Sequence, residues 1–426
     1  MIYCNTAQTG TALNSTKPSG TNPENDFDLG AELVSLPEFR EPGDETEGGK
    51  DVLHFPASVI SGLAGDFADI YSASLETPRH FLYAAFLTAL GSLVADRITL
   101  NSEIRPQPRL FTILLGESAD DRKSTAITKT IEFFQQSITE GIPTCWGISS
   151  AEGLQRKLSG SNKLLLCFDE FRQFVSKCRI EGSVLLPCTN SLFESNRYES
   201  HTKSQSIVLQ DAYLSMLAAS TTETYEKIFT PEFLAIGFAN RLFLVPGGAE
   251  RKFSLPVTIG DSEKMRLRHK LGKVLEFASG HPVLNLEPIA REIYHHWYMN
   301  LERGVHSKRL DTYSLRLMIL LAVNDQKEII DRETVAKAIR LANWQLNVRR
   351  LLDPIDAETN IARLEERIRR VLTIAPKSER DLRKAVHYER VGLWTYQNAV
   401  QNLTRSREIQ WNKAQGKWEL SPNLSP

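Results

Sequence analysis

Four short apolar runs constrain this chain more than any other feature. They are RLFTILLG at 109–116, KLLLCFDE at 163–170, AYLSMLAAST at 212–221 and RLFLVPGG at 241–248. Hydrophobicity without alternation is what a strand requires when both faces of its sheet are covered, as in a parallel sheet sandwiched by helices. Helical patterns that could supply the cover lie at 56–76, at 80–97 after Pro78, and at 126–138. The expected fold class is therefore α/β, with a mostly parallel sheet.

From Asp261 onward the apolar runs give way to helical patterns at 262–279, 287–303, 311–324 and 331–351, with Asp331 placed to cap the last; Asp353-Pro354 breaks the series. This spacing predicts an α/β core over 51–260, a helical lid subdomain over 261–355 and a third unit over 356–426. Residues 1–50 differ in character: Glu24 to Glu47 carries nine carboxylates and one arginine, the composition of a disordered acidic tail. The five cysteines include no C-x-x-C pair, which argues for a reducing, cytoplasmic setting over a disulfide or zinc framework. No run approaches the roughly 18 uncharged apolar residues of a membrane span, and no leader pattern opens the chain. With 51 basic and 52 acidic residues, any nucleic-acid surface must be local.

Two stretches carry chemistry. The first, GESADDRKST at 116–125, joins an apolar run to a helix. In that context backbone amides and a helix N-terminus can cradle phosphate, a lysine can reach the terminal phosphates, and a hydroxyl can bind Mg²⁺. Gly116, Glu117, Ser118, Arg122, Lys123, Ser124 and Thr125 form the expected nucleotide-binding set, with Lys123 and Ser124 in the two named roles. The loop departs from G-x-x-x-x-G-K-[ST] in two ways: Arg122 replaces the second glycine, and Gly116 lies seven residues before the lysine instead of six. Asp120 and Asp121 also place negative charge where phosphate would sit. Taken alone, the stretch reads equally well as a solvated connection. The second stretch, LLLCFDE, ends a strand with Asp169 to complete a Mg²⁺ shell and Glu170 to orient and activate water. A third piece, GFANRLFLV at 237–245, begins a strand with Arg241, either an arginine finger acting across a subunit edge or a strand-edge ion pair.

These three pieces together resemble the helicase-like AAA+ ATPase domain of phages and mobile elements, over about residues 55–350, and more distantly minichromosome-maintenance helicases. The resemblance implies ATP and Mg²⁺ as ligands, a ring-shaped homo-oligomer, most simply a hexamer, and DNA and replication proteins as partners, with no membrane. It implies that Arg241 acts in trans and that a lid arginine, Arg316 with Arg309 as its rival, adds a second positive charge. Ser220, Thr221 or Thr222 would sense the γ-phosphate. A hairpin between 191 and 220 would present Lys203 to DNA in a central pore.

Residues 363–419 hold thirteen Lys/Arg against seven Asp/Glu, the one clearly basic region of the sequence. Ser378 is placed to cap a short helix, and a second helix at 391–406 has Leu393, Tyr396, Val400 and Leu403 as its apolar face, leaving Gln397, Gln401 and Arg405 opposite. Alternating segments around Gly416 then predict a hairpin. The pattern is similar to a winged helix, with the polar helix face in the major groove and Lys413 and Lys417 on phosphates. The expected activity is ATP hydrolysis coupled to DNA. The rival expectation is a weakly hydrolysing, nucleotide-binding scaffold that recruits partners to DNA.

Overall fold

The computed structural model describes residues 53–421 apart from 118–120, 202–205, 229–232, 234–235, 250–254 and 354–358. The acidic tail, Ser118 and Lys203 therefore lie outside the described residues. The chain enters through α1 (Gly62–Leu75) and α2 (Arg79–Val94) and passes a two-residue strand β1 (Thr99–Leu100). Next come β2 (Phe111–Gly116), α3 (Lys123–Ser137), β3 (Thr144–Trp146), α4 (Ala151–Gly160) and β4 (Lys163–Phe168). They are followed by α5 (Arg172–Cys178), α6 (Leu185–Glu194) and a hairpin of β5 (Tyr198–His201) and β6 (Ser206–Leu209). The core strands finish with β7 (Tyr213–Thr221), which leads into α7 (Thr222–Ile228), and β8 (Phe243–Pro246).

β2, β3, β4, β7 and β8 form one parallel sheet in the order β3-β4-β7-β2-β8. The loop strand β2 and the acidic-pair strand β4 are thus separated by β7. In register, Leu115 pairs with Ser220 and Gly116 with Thr221, while Phe168 pairs with Ala218. All six residues of β2 and the last five of β4 are buried, as double cover by helices requires. α2 is buried along almost its whole length, which explains its lack of an amphipathic stripe.

The helical run after Asp261 comprises α8 (Asp261–Gly280), α9 (Pro288–Asn300), α10 (Leu310–Asp325) and α11 (Arg332–Leu352); Asp331 caps α11 by accepting from the Thr334 amide at 2.8 Å. Strands do not stop at Asp261 as the sequence pattern suggests. β9 (Val283–Leu286) pairs in parallel with both β1 and β10 (Ile329–Ile330), forming a second sheet of segments too short for periodicity to register. Nor does the apolar core break there. Buried side chains from Phe55 to Leu352 form one continuous cluster, so α10 and α11 share a core with the main sheet.

Arginines fasten those helices to the sheet. Arg349 on α11 donates to the carbonyls of Asn240 (3.0 Å) and Leu242 (3.1 Å), just before β8. Arg316 on α10 donates to those of Arg109 (3.0 Å) and Phe193 (2.6 Å).

A second, separate apolar cluster of Leu364, Ile368, Leu382, Tyr396, Leu403 and Ile409, with its neighbours, organises the C-terminal module. It comprises α12 (Asn360–Ile374), α13 (Glu379–Ala385), α14 (Tyr388–Val391), α15 (Leu393–Arg405) and an antiparallel hairpin of β11 (Ile409–Asn412) and β12 (Lys417–Leu420). Ser378 caps α13 through the Asp381 amide at 3.2 Å, and Gly416 turns the hairpin at φ 62°. Lys377 bridges to Trp418 as a further antiparallel contact. The buried face of α15 is Tyr396, Ala399 and Leu403; Leu393, expected inside, is 45% exposed because it opens the helix beyond the reach of the cluster.

Candidate functional site

Gly116 ends β2 where the following loop folds back on it. A Cβ at this position would come within 2.4 Å of the Asp121 carboxylate, so only glycine permits the approach. Asp121 is buried, and its carboxylate accepts from the backbone N–H of Glu117 and, at 2.9 Å, from that of Ala249 beyond β8. Arg122 then adopts the left-handed conformation, φ 52° and ψ 28°, immediately before α3. The usual pattern places glycine here, and the backbone keeps the glycine-like shape despite the substitution, at a cost of about 1 kcal/mol. The Arg122 guanidinium turns away to Glu76 at 3.2 Å.

α3 begins at Lys123, and its N-cap residue Arg122 makes no side-chain bond to the first amides. Ser124 is exposed on this first turn, at the positive end of the helix dipole. Thr125, half-buried, follows on the first turn. The Lys123 ammonium donates to the Glu117 carbonyl. Burial holds its pKa below the ordinary lysine value, while the negative charges of Asp121, Glu170 and Glu117 pull the other way. The charge of Glu170 is thus felt at Lys123, although the two lie far apart in sequence.

Asp169 and Glu170 project from the carboxyl end of β4, both exposed. The Phe171 amide donates to the Ala219 carbonyl at 2.8 Å, which fixes this turn against β7. Because β7 intervenes, the acidic pair and the loop are about 10 Å apart across the sheet, two strand spacings. Gaps of this kind at the carboxyl ends of parallel strands are where α/β sheets take ligands. Among the described residues no group of three or more His, Cys, Asp or Glu is arranged to hold a metal. Ser124 at the start of α3 and Asp169 at the end of β4 are both exposed, and each could offer one oxygen to a cation.

The other expected site residues are less accessible. Ser220 is 1% exposed, and its hydroxyl donates to the Thr221 carbonyl at 3.1 Å. The Thr221 hydroxyl accepts from the Thr224 amide at 3.0 Å at the start of α7. Arg241, expected as an exposed finger, is 8% exposed and internally engaged. It donates to Glu194 at 2.9 Å and to the Gly237 carbonyl at 2.7 Å. Arg316 is buried over the Phe193 ring, 4.1 Å from its centre, with its donors on backbone carbonyls. Both depart from the expected phosphate-reaching placement, because unpaired carbonyls around Phe193 and Gly237 capture the guanidinium donors. Arg309, the rival, is more accessible and pairs with Glu194.

On the C-terminal module the polar face of α15 lies where expected. Gln397, Gln401 and Arg405 are exposed and line a groove with Val400, Thr404 and Trp418. Lys413 and Lys417 are exposed on the hairpin. The hairpin of β5 and β6 occupies the interval assigned to the pore, with its tip outside the described residues.

Sequence reasoning missed the residues that link this module to the loop. Arg390 of α14 pairs with both carboxylate oxygens of Glu117, at 3.1 and 3.2 Å, across 273 residues of sequence. Arg367 of α12 pairs with Glu226 of α7. No local signal could have joined partners so far apart. No protein-family model matches this chain, and a search of curated proteins finds no match to it.

Proposed function

We propose that the chain is an ATP-hydrolysing motor or remodeller of the AAA+ type, acting on DNA through a C-terminal winged helix. The reading is supported by the start of α3 at Lys123, where Arg122 provides no side-chain cap, and by the charge of Glu170 felt at Lys123, both at the carboxyl end of a parallel sheet. The insertion of β7 between the loop strand and the acidic-pair strand also fits the resemblance to AAA+ domains. A bound triphosphate would supply the anhydride bond and, with Mg²⁺, the charge that these residues complement. Lys123 would neutralise terminal phosphate, Ser124 and Asp169 would hold the metal shell, and Glu170 would orient water. The groove beside α15 and the lysines of the hairpin would bind duplex DNA. Assembly as a hexameric ring and a role in phage or mobile-element replication come from the resemblance alone.

DNA-stimulated ATPase of the wild type and of Glu170→Gln tests this reading. Removing the base should lower the rate 10²- to 10⁴-fold with nucleotide binding retained. Equal background rates in both proteins would exclude a motor.

One observation favours the scaffold alternative. The Asp121 carboxylate already occupies the Glu117 and Ala249 amides, a place that a phosphate oxygen would compete for. Tight Mg²⁺–ATP binding by calorimetry, with no turnover above background, would identify the scaffold.

A further inference from the structure

The candidate nucleotide site is short of positive charge. A triphosphate would have to settle beside Glu117 and the buried Asp121, yet Arg122 is committed to Glu76, leaving Lys123 as the cation of the loop. Arg316 and Arg241 are engaged with protein carbonyls and Glu194. The C-terminal module supplies the missing group. Arg390 reaches the lip of the loop and is held there by the carboxylate of the residue whose carbonyl receives Lys123. That ion pair lies in water, with the two side chains 37% and 61% exposed, so little holds it against a better anion. A second tie, from Arg367 of the module to Glu226 of α7, is less exposed at 21% and 24%, and it leaves Arg390 free to change partner while the module stays attached.

We propose that Arg390 is a nucleotide-site residue carried by the C-terminal module: Glu117 holds it in the absence of ligand, and it transfers to the terminal phosphate of a bound nucleoside triphosphate. Guanidinium is suited to this exchange, since its planar fork binds carboxylate and phosphate oxygens with the same geometry. No bond is made or broken in the transfer; one charge-assisted contact replaces another. The site would then read the terminal phosphate through the module that bears the DNA-facing groove, so nucleotide state and the position of that groove would be coupled. This inference rests on the nucleotide-binding reading above.

The test is the affinity of the full-length protein for Mg²⁺–ATP and Mg²⁺–ADP, in wild type, Arg390→Ala, Glu117→Gln, the double variant and Lys123→Ala. Losing a charged contact to the terminal phosphate should weaken ATP about 10- to 100-fold in Arg390→Ala, with ADP changed less than about threefold. Glu117→Gln should tighten ATP, and by clearly less when Arg390 is already alanine, because the two residues are coupled. Equal loss of ATP and ADP in Arg390→Ala, unchanged affinity for both, or a Glu117→Gln effect independent of Arg390 would overturn the inference while leaving the nucleotide site standing. Absence of nucleotide binding in the wild type, or binding indifferent to Lys123→Ala, would overturn the site and the inference together.

Discussion

Residues 55–352 and the C-terminal module each enclose their own cluster of buried apolar side chains, but they treat arginine differently. In the large unit Arg109, Arg316 and Arg349 are buried, and their terminal NH groups donate to backbone carbonyls. In the small module Arg383 and Arg390 stay at the surface, 35% and 37% exposed, in ion pairs with Glu379 and Glu117. Buried guanidinium cannot be removed without orphaning what it bonds, whereas surface pairs exchange partners at little cost. The three buried arginines of the large unit therefore act as structure, while Arg383 and Arg390 of the small module remain open to exchange.

The most severe way to break this comparison is Arg349→Met. Four carbonyls would lose a donor, those of Asn240, Leu242, His306 and Lys308. We expect a loss of about 3–5 kcal/mol in the large unit. Hydrogen exchange read by mass spectrometry should show faster exchange in β8 and α11, with α12 and α15 unaffected. Uniform acceleration of both units would mean that they are not independently stabilised.

A smaller effect sharpens the electrostatic side of the comparison. His80 is partly buried beside β8, with its ring nitrogen 3.1 Å from the Pro246 carbonyl. Burial, assisted by His54, lowers its pKa to about 4, against the opposing pull of the Pro246 carbonyl and Asp121. Between about 4 and the ordinary 6.5 the unfolded chain binds the extra proton, so stability rises with pH across that window and is lost as pH falls through it. The full effect is about 3 kcal/mol. His80→Gln should flatten the pH dependence of the denaturation midpoint between these limits; an unchanged slope would place the sensitivity elsewhere.

The mildest change concerns the exposed charge of the small module. Lys413→Ala and Lys417→Ala should each reduce the slope of log affinity for duplex DNA against log salt by about 0.9, without altering the fold. A slope that ignores both would remove the hairpin from any DNA interface.

Much of this architecture was legible because its signals are local. The runs ending at Gly116, Phe168 and Thr221 became core strands, and Asp331 and Ser378 became caps. That the charge of Glu170 is felt at Lys123 follows from the order of β2, α3 and β4 along the chain. The fates of Arg241 and Arg316 could not. Where a long cation ends depends on which carbonyls the fold leaves unpaired, and those around Phe193 belong to a helix end far away in sequence. The β1-β9-β10 sheet was hidden for a different reason: two- to four-residue strands carry too little periodicity to be seen. The pairing of Arg390 with Glu117 combines both obstacles, a surface contact between remote segments.

The left-handed turn at Arg122 has a practical corollary. Its guanidinium is anchored by Glu76, itself at φ 54° in the corner between α1 and α2. The shape of the loop is thus propped from 46 positions upstream, by helices that precede the sheet altogether. A minimal fragment trimmed to begin near β2 would keep every residue of the phosphate-loop pattern and forfeit the strut that shapes it. Such a truncation would be a poor guide to what the intact chain can bind.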